Sequence, residues 1–130
     1  MSTIIVHAKA ALLGNGQKVI DDATLVAVAG VIQQIDSRKA VSLPDEPDRV
    51  YNFDDQFVLP GLIDTHVHLI FPGDGQPADQ FVQARSDMEL LLTAERNAER
   101  ALAAGVTTMR DVGSRGRLGL VLREASAAGL

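Results

Sequence analysis

Apolar residues fall in short blocks over the first 57 positions and at helical spacing after about position 86. The run "TIIVHAKAALL", Thr3 to Leu13, reads as a strand, and "GNGQ" follows as a turn. "ATLVAVAG" and "VIQQID" read as two more short strands with Gly30 between them. "LPDEPDR" is a Pro- and acid-rich loop, and "VYNFDDQFVLP" leads through a further strand to Pro60 and Gly61. Nothing up to Phe57 has the period of an amphipathic helix. These residues predict a small antiparallel unit of short strands.

The second half has a different pattern. "GLIDTHVHL" is an apolar strand with polar insertions, and "IFPGDGQPADQ" is a loop. Ser86 and Glu89 have the spacing of a capping box and open a helix. Met88, Leu91, Leu92, Ala98, Ala101 and Leu102 form its apolar stripe, with Glu89, Arg96, Glu99 and Arg100 off it. Gly105 closes the helix at C′. "VTTMRDV" is the next strand, "GSRGR" a loop, and "LGLVLREASAAG" a helix with Leu118, Val121, Leu122 and Ala125 on one face. Strands alternating with helices predict parallel βαβ units with the two strands adjacent. A complete (β/α)8 barrel takes about 250 residues, so two such units are the start of one.

Composition narrows the chemistry. The 130 residues carry a net charge of -5 and no cysteine. That balance gives no electrostatic footprint for nucleic acid. It also leaves any metal to imidazole and oxygen ligands. No secretory leader is visible, and the longest apolar run, "LVAVAGVI", is far short of a membrane span. The expected location is the cytoplasm, with no membrane partner.

Two of the three histidines, His66 and His68, stand one residue apart in "VLPGLIDTHVHLIFPG". Side chains on a strand alternate faces, so Asp64, His66 and His68 point one way and Thr65 and Val67 the other. Two imidazoles aimed at one point suit Zn²⁺ or a similar ion. Taken alone, an H-x-H pair is more often ordinary strand residues, because two ligands do not complete a site.

The stretch "VLPGLIDTHVHL" resembles the metal-binding signature of the amidohydrolase superfamily, P-G-[LF]-I-D-x-H-x-H. "AGVTTMRDVG" is similar to that superfamily's second barrel strand, particularly in imidazolonepropionase-like and Xaa-Pro dipeptidase-like members. The resemblance implies an α/β fold in which residues 1–58 are the N-terminal portion of a composite β-sandwich domain. It implies that residues 59–130 are the first two β/α units of a metal-dependent hydrolase barrel of TIM type, incomplete in this chain. His66 and His68 match the first two metal ligands. A divalent cofactor follows, zinc above all, as one or two ions in the complete enzyme. The remaining family ligands, a lysine, two histidines and an aspartate that serves as base, cannot be placed here. No catalytic residue is identifiable in the segment. The implied activity is hydrolysis of a C–N bond in a small amide, dipeptide or cyclic amide, with this chain as the N-terminal segment and inactive when isolated. The other readings are a non-catalytic α/β binding or interaction module, or one subunit of a split hydrolase. The expected partners are a small-molecule substrate, with self-association or a complementary C-terminal segment.

Several residues have two readings. Asp64, one pleat below His66, is either a partner of the ligands or a structural residue at the barrel base. Asp111 either approaches the site or caps the loop at Gly113, and the cap is the better reading. Arg110 and Arg115 are either contacts for a substrate carboxylate or, more commonly for such residues, surface groups. His7 is a solvated or core-edge histidine remote from the signature. "GDGQP" lacks the spacing of a phosphate loop.

Overall fold

The structure is a computed structural model that describes residues 2–14, 16 and 19–129. The chain divides into two compact units, Met1–Pro60 and Gly61–Leu130. No helix among the described residues is long and apolar enough to cross a membrane.

The first unit has four strands: β1 (Thr3–Ala11), β2 (Ile20–Val28), β3 (Val31–Ser37) and β4 (Arg49–Val58). Their order in the sheet is β3-β2-β1-β4. β2 runs antiparallel to β1 and to β3, as expected, but β4 runs parallel to β1. The sheet is therefore mixed, not antiparallel. The loop holding "LPDEPDR" carries the chain across to the free edge of β1, so β4 enters in the direction of β1. Asp48 sets this register. Its carboxylate accepts from the Thr3 N–H at 2.6 Å, and its own N–H donates to the Thr3 carbonyl at 2.9 Å. The β2–β3 hairpin turns at Ala29 and Gly30, with φ of 51° and 80°. Two successive positive φ values match the twist of the flanking strands. The predicted "GNGQ" turn includes Asn15 and Gln17, which lie outside the described residues.

Ile5, Val26 and Val41 form the core cluster of this unit. His7 is buried beside them in the register. Its Nδ1 lies 2.8 Å from the hydroxyl of the fully buried Thr24. A buried imidazole with a hydroxyl partner is a core residue, so the solvated alternative for His7 does not hold.

The second unit contains β5 (Leu62–Val67), α1 (Ala78–Gln83), α2 (Asp87–Ala103), β6 (Val106–Asp111) and α3 (Leu118–Ala127). β5 and β6 pair in parallel. The capping box is present. The Ser86 hydroxyl accepts from the Glu89 N–H, and the Glu89 carboxylate accepts from the Ser86 N–H at 2.8 Å. Hydrogen bonds from the Ser86 side chain and backbone hold the Glu89 carboxyl below the ordinary range. A depressed carboxylate contributes stability above its unfolded value, lost as pH falls through the lowered one. Gly105, with φ of 91°, follows the C-cap Ala104.

Three features of this unit differ from expectation. α1 falls in the stretch read as loop, because six residues are too few to show a helical period. Pro77 at its N-cap belongs at a helix start as readily as in a loop. The buried face of α2 overlaps the expected one only in part, through half-buried Leu91, Ala98 and Ala101. Leu90 and Ala94 are buried, with Asn97, Ala98 and Ala101 half-buried on the same side, whereas Met88, Leu92 and Leu102 are exposed. The inner face carries a small residue and an amide where a count of large apolar residues finds a gap. Ile70, Phe81, Leu90, Ala94 and Leu118 form the core cluster of this unit, with Leu122 against it. Val121, expected on the inner face of α3, is exposed.

Candidate metal centre

β5 ends at Val67, so His66 occupies its last pleat and His68 follows immediately. The two rings are on one side, with centroids 5.5 Å apart in an edge-to-face arrangement. Two-residue spacing puts them on one side, as strand alternation expects, although the β5–β6 register shifts between Asp64 and Val67. Val112 N–H donates to the Val67 carbonyl at 3.0 Å, which carries the β5–β6 ladder one step past Asp111. The loop after β6 is thereby laid alongside His68.

His68 is held from two sides. Its Nδ1 is 3.0 Å from the Gly113 carbonyl. Its ring stacks on Phe71, with centroids 4.7 Å apart and planes at 22°. Gly113 lies close against the ring: a Cβ there would stand 3.1 Å from His68 Cε1 and 3.2 Å from Nδ1, so the ring would have to give by a few tenths of an ångström. Phe71 is fixed in turn by Asn97, whose side-chain amide donates to the carbonyls of Leu69 and Phe71 at 2.8 Å each. A polar amide on the buried face of a helix must find partners, and Asn97 finds them in the segment that follows the histidines. Sequence reading missed Asn97, Phe71 and Gly113. The signal for Asn97 is its position seven residues after Leu90 and three after Ala94, on the inward face.

Asn97→Ala is expected to leave those two carbonyls without their donor and to lower stability by roughly 1–3 kcal/mol. Urea denaturation reads the loss; an unchanged midpoint would show that the two bonds do not hold the segment.

The Asp64 carboxylate accepts from the backbone N–H of His66 at 3.0 Å, so it acts on the main chain of the strand end. Asp111 caps the loop, as preferred: its carboxylate accepts from the Gly113 N–H at 2.9 Å and the Ser114 hydroxyl at 2.7 Å. Arg115 is not a free cation at the strand mouth. Its guanidinium donates to the carbonyls of Val82 and Arg85 at 2.9 Å each and to Asp87 at 2.8 Å, tying the end of α1 to the start of α2. Those bonds use the planar fork that a substrate carboxylate would need. Arg110 is exposed on β6. A cavity of about 780 Å³ beside β6 and α3 is lined by Thr108, Asp111, Gly113 and Leu122 among others, but by neither histidine.

The donor set fits a divalent ion in part. A carbonyl oxygen can only accept, so the Gly113 contact places the hydrogen on Nδ1 of His68 and leaves Nε2 free as a ligand. Among the described residues there is no group of three or more His, Cys, Asp or Glu side chains that could hold a metal. His66 and His68 thus offer two ligands of a shell that needs at least one more.

Residues 57–130 match the model of the amidohydrolase family. The chain is 41% identical over 75 residues to an imidazolonepropionase of Pseudomonas entomophila, covering 57% of this chain and 18% of that protein. It is 36% identical over 104 residues to an imidazolonepropionase of Rhizorhabdus wittichii, covering 78% of this chain and 23% of that one. Among solved structures, a Xaa-Pro dipeptidase with bound methionine superposes with a TM-score of 0.80 at 25% identity, covering 98% of this chain and 30% of that one. Molinate hydrolase gives 0.83 at 25% identity, covering 98% and 27%. This chain therefore spans less than a third of the proteins it resembles. The matched region runs from the end of β4 through the histidine strand to the last helix, which is most of the second unit's architecture and more than half of the sequence, and the chain belongs to the amidohydrolase family.

Proposed function

We propose that this chain is the N-terminal segment of a metal-dependent amidohydrolase that cleaves a C–N bond in a cyclic amide or a dipeptide. The observation that carries the reading is the pair of imidazoles on one side of the β5 end, with the free Nε2 of His68 set by a backbone carbonyl. The names of its relatives, imidazolonepropionase and Xaa-Pro dipeptidase, support the substrate class. His66 and His68 are proposed as two ligands of a divalent ion, zinc by preference for nitrogen donors. A bound ion would supply Lewis acidity, lowering the pKa of a water and polarising the scissile carbonyl. The part of this chain is to present the two ligands: Gly113 and Phe71 fix the second ring, and Asp64 braces the backbone of the first. The remaining ligands and the base belong, on this reading, to later strands of the complete polypeptide.

The domain assignment follows the same reading. Residues 1–58 are proposed as the N-terminal portion of a composite β-sandwich, and 59–130 as the first two β/α units of the barrel. Exposed Leu62 and Ile63 on β5, and Tyr51, Phe53 and Phe57 on the edge strand β4, support further strands or a second copy covering these surfaces. The location proposed is the cytoplasm. The test uses the complete natural polypeptide containing these residues. Metal is quantified after purification, and hydrolysis is assayed on imidazolonepropionate and on dipeptides ending in proline. Stoichiometric metal with turnover of either class supports the proposal; no metal and no turnover of either would sink it.

A further inference from the structure

Asp111 lies at the end of β6, and its carboxylate makes contacts only within its own loop in the bonds described above. It accepts from the Gly113 N–H through Oδ1 at 2.9 Å and from the Ser114 hydroxyl through Oδ2 at 2.7 Å. Both oxygens therefore brace one turn, residues 111–114. The main-chain group that this turn presents to the histidine strand is the Gly113 carbonyl, 3.0 Å from Nδ1 of His68. The Gly113 carbonyl lies in the 113–114 peptide plane, and that plane is held from both ends: the preceding plane by the Gly113 N–H on Asp111, and the following residue by the Ser114 hydroxyl on the same carboxylate. Among the described residues, no other hydrogen bond of the His68 ring fixes its tautomer. An imidazole without such a partner exchanges between tautomers, and only one of them leaves Nε2 bare.

We propose that Asp111 is a positioning residue for His68: by bracing the 111–114 turn it holds the Gly113 carbonyl on Nδ1, and so sets the tautomer and ring direction that present Nε2. This deepens the metal-centre reading and rests on it for its purpose, but the tautomer itself is a property of the metal-free protein. The chain of action is carboxylate to backbone to carbonyl to imidazole, so Asp111 acts without touching either histidine. Partners of this kind, which orient a ligating imidazole, typically change metal affinity or activity about 10–100-fold when removed.

The test uses the complete natural polypeptide containing these residues, labelled with ¹⁵N-histidine and stripped of metal with a chelator. Long-range proton–nitrogen spectra at alkaline pH read the tautomer of His68, assigned by the signal lost in His68→Gln. The wild type is expected to show Nδ1 protonated and Nε2 bare. Asp111→Ala is expected to lose that pattern, and Asp111→Asn to keep it, because the amide oxygen still accepts from Gly113. Gly113→Ala is expected to lose it with Asp111 intact, since the new Cβ would lie 3.1 Å from the ring. Zinc affinity is expected to fall about 10–100-fold in Asp111→Ala and to recover in Asp111→Asn. Should Asp111→Ala fail to fold, Ser114→Ala removes one arm of the brace and carries the same expectation at smaller size. A wild-type His68 protonated on Nε2, or a tautomer unchanged in folded Asp111→Ala, overturns the proposal. A correct tautomer response in a protein that binds no zinc upholds the positioning role and counts only against the metal reading.

Discussion

His66→Ala and His68→Ala are each expected to empty the proposed metal centre and to lower hydrolysis by several orders of magnitude. On the proposed reading, each substitution would remove one of the two nitrogen ligands that this chain supplies. The remaining ligands cannot restore tetrahedral geometry, and water activation depends on the ion. The two replacements should differ in one respect. His68 is half-buried, stacks on Phe71 and bonds to Gly113, so its loss also loosens the segment after β5. His66 is exposed, so its loss should leave stability almost unchanged. His7→Ala is the control. It removes a buried partner of Thr24 and costs stability, but turnover should hold. Metal per polypeptide by mass spectrometry, turnover, and melting temperature together read these outcomes. Full metal content and near-normal turnover in both variants would exclude the pair as ligands.

What was legible in the sequence follows from how local each cause is. That the histidine pair shares a side is what a strand period of two expects, and that expectation needs only one segment to be known. The capping box at Ser86 and the stop at Gly105 are equally local, and both stand as expected. The mixed sheet was not legible. Whether β4 returns parallel or antiparallel to β1 depends on where an eleven-residue stretch between β3 and β4, Arg38 to Asp48 by the bounds of those strands, sets the chain down. Side-chain pattern does not encode that direction. The inner face of α2 was missed for a related reason. Helical spacing admits two overlapping stripes: of the expected one, Leu91, Ala98 and Ala101 are half-buried but the large residues Met88, Leu92 and Leu102 are exposed. The other was chosen by what it meets: Leu90 and Ala94 pack on Ile70, Phe81 and Leu118, and Asn97 reaches two carbonyls beyond the histidines. The supports of His68 were illegible for the same cause. Gly113 lies 45 positions from it in the chain, and only the parallel pairing of β5 with β6 brings the two together.

That pairing has its own vulnerable point, and Gly61→Ala is expected to destabilise the second unit by about 3 kcal/mol, at the upper end of overpacking effects. A Cβ at Gly61 would lie 2.0 Å from Thr107 Oγ1, 2.3 Å from its Cγ2 and 2.7 Å from its Cβ. Rotating Thr107 moves the first two atoms but not the third, so no rotamer clears the clash. The backbone must shift where the parallel ladder begins, at Leu62 opposite Val106, with the Leu62 N–H on the Gly105 carbonyl. The glycine after Pro60 is therefore required by close approach of two strands, with no positive φ involved. The shift would also move β5 against β6, and with it His68 against Gly113, so metal affinity should fall along with stability. A pair of second substitutions isolates the cause. Thr107→Ala retains the Cβ and should recover little of the loss in the Gly61→Ala background. Thr107→Gly removes all three clashing atoms and should recover most of it, less about 1 kcal/mol for the added glycine. Urea denaturation of the wild type, the three single variants and the two double variants in the complete polypeptide gives the two coupling energies. If Gly61→Ala alone proves as stable as the wild type, the two strands do not approach this closely, and the proposed placement of His68 beside the Gly113 carbonyl loses the geometry it depends on.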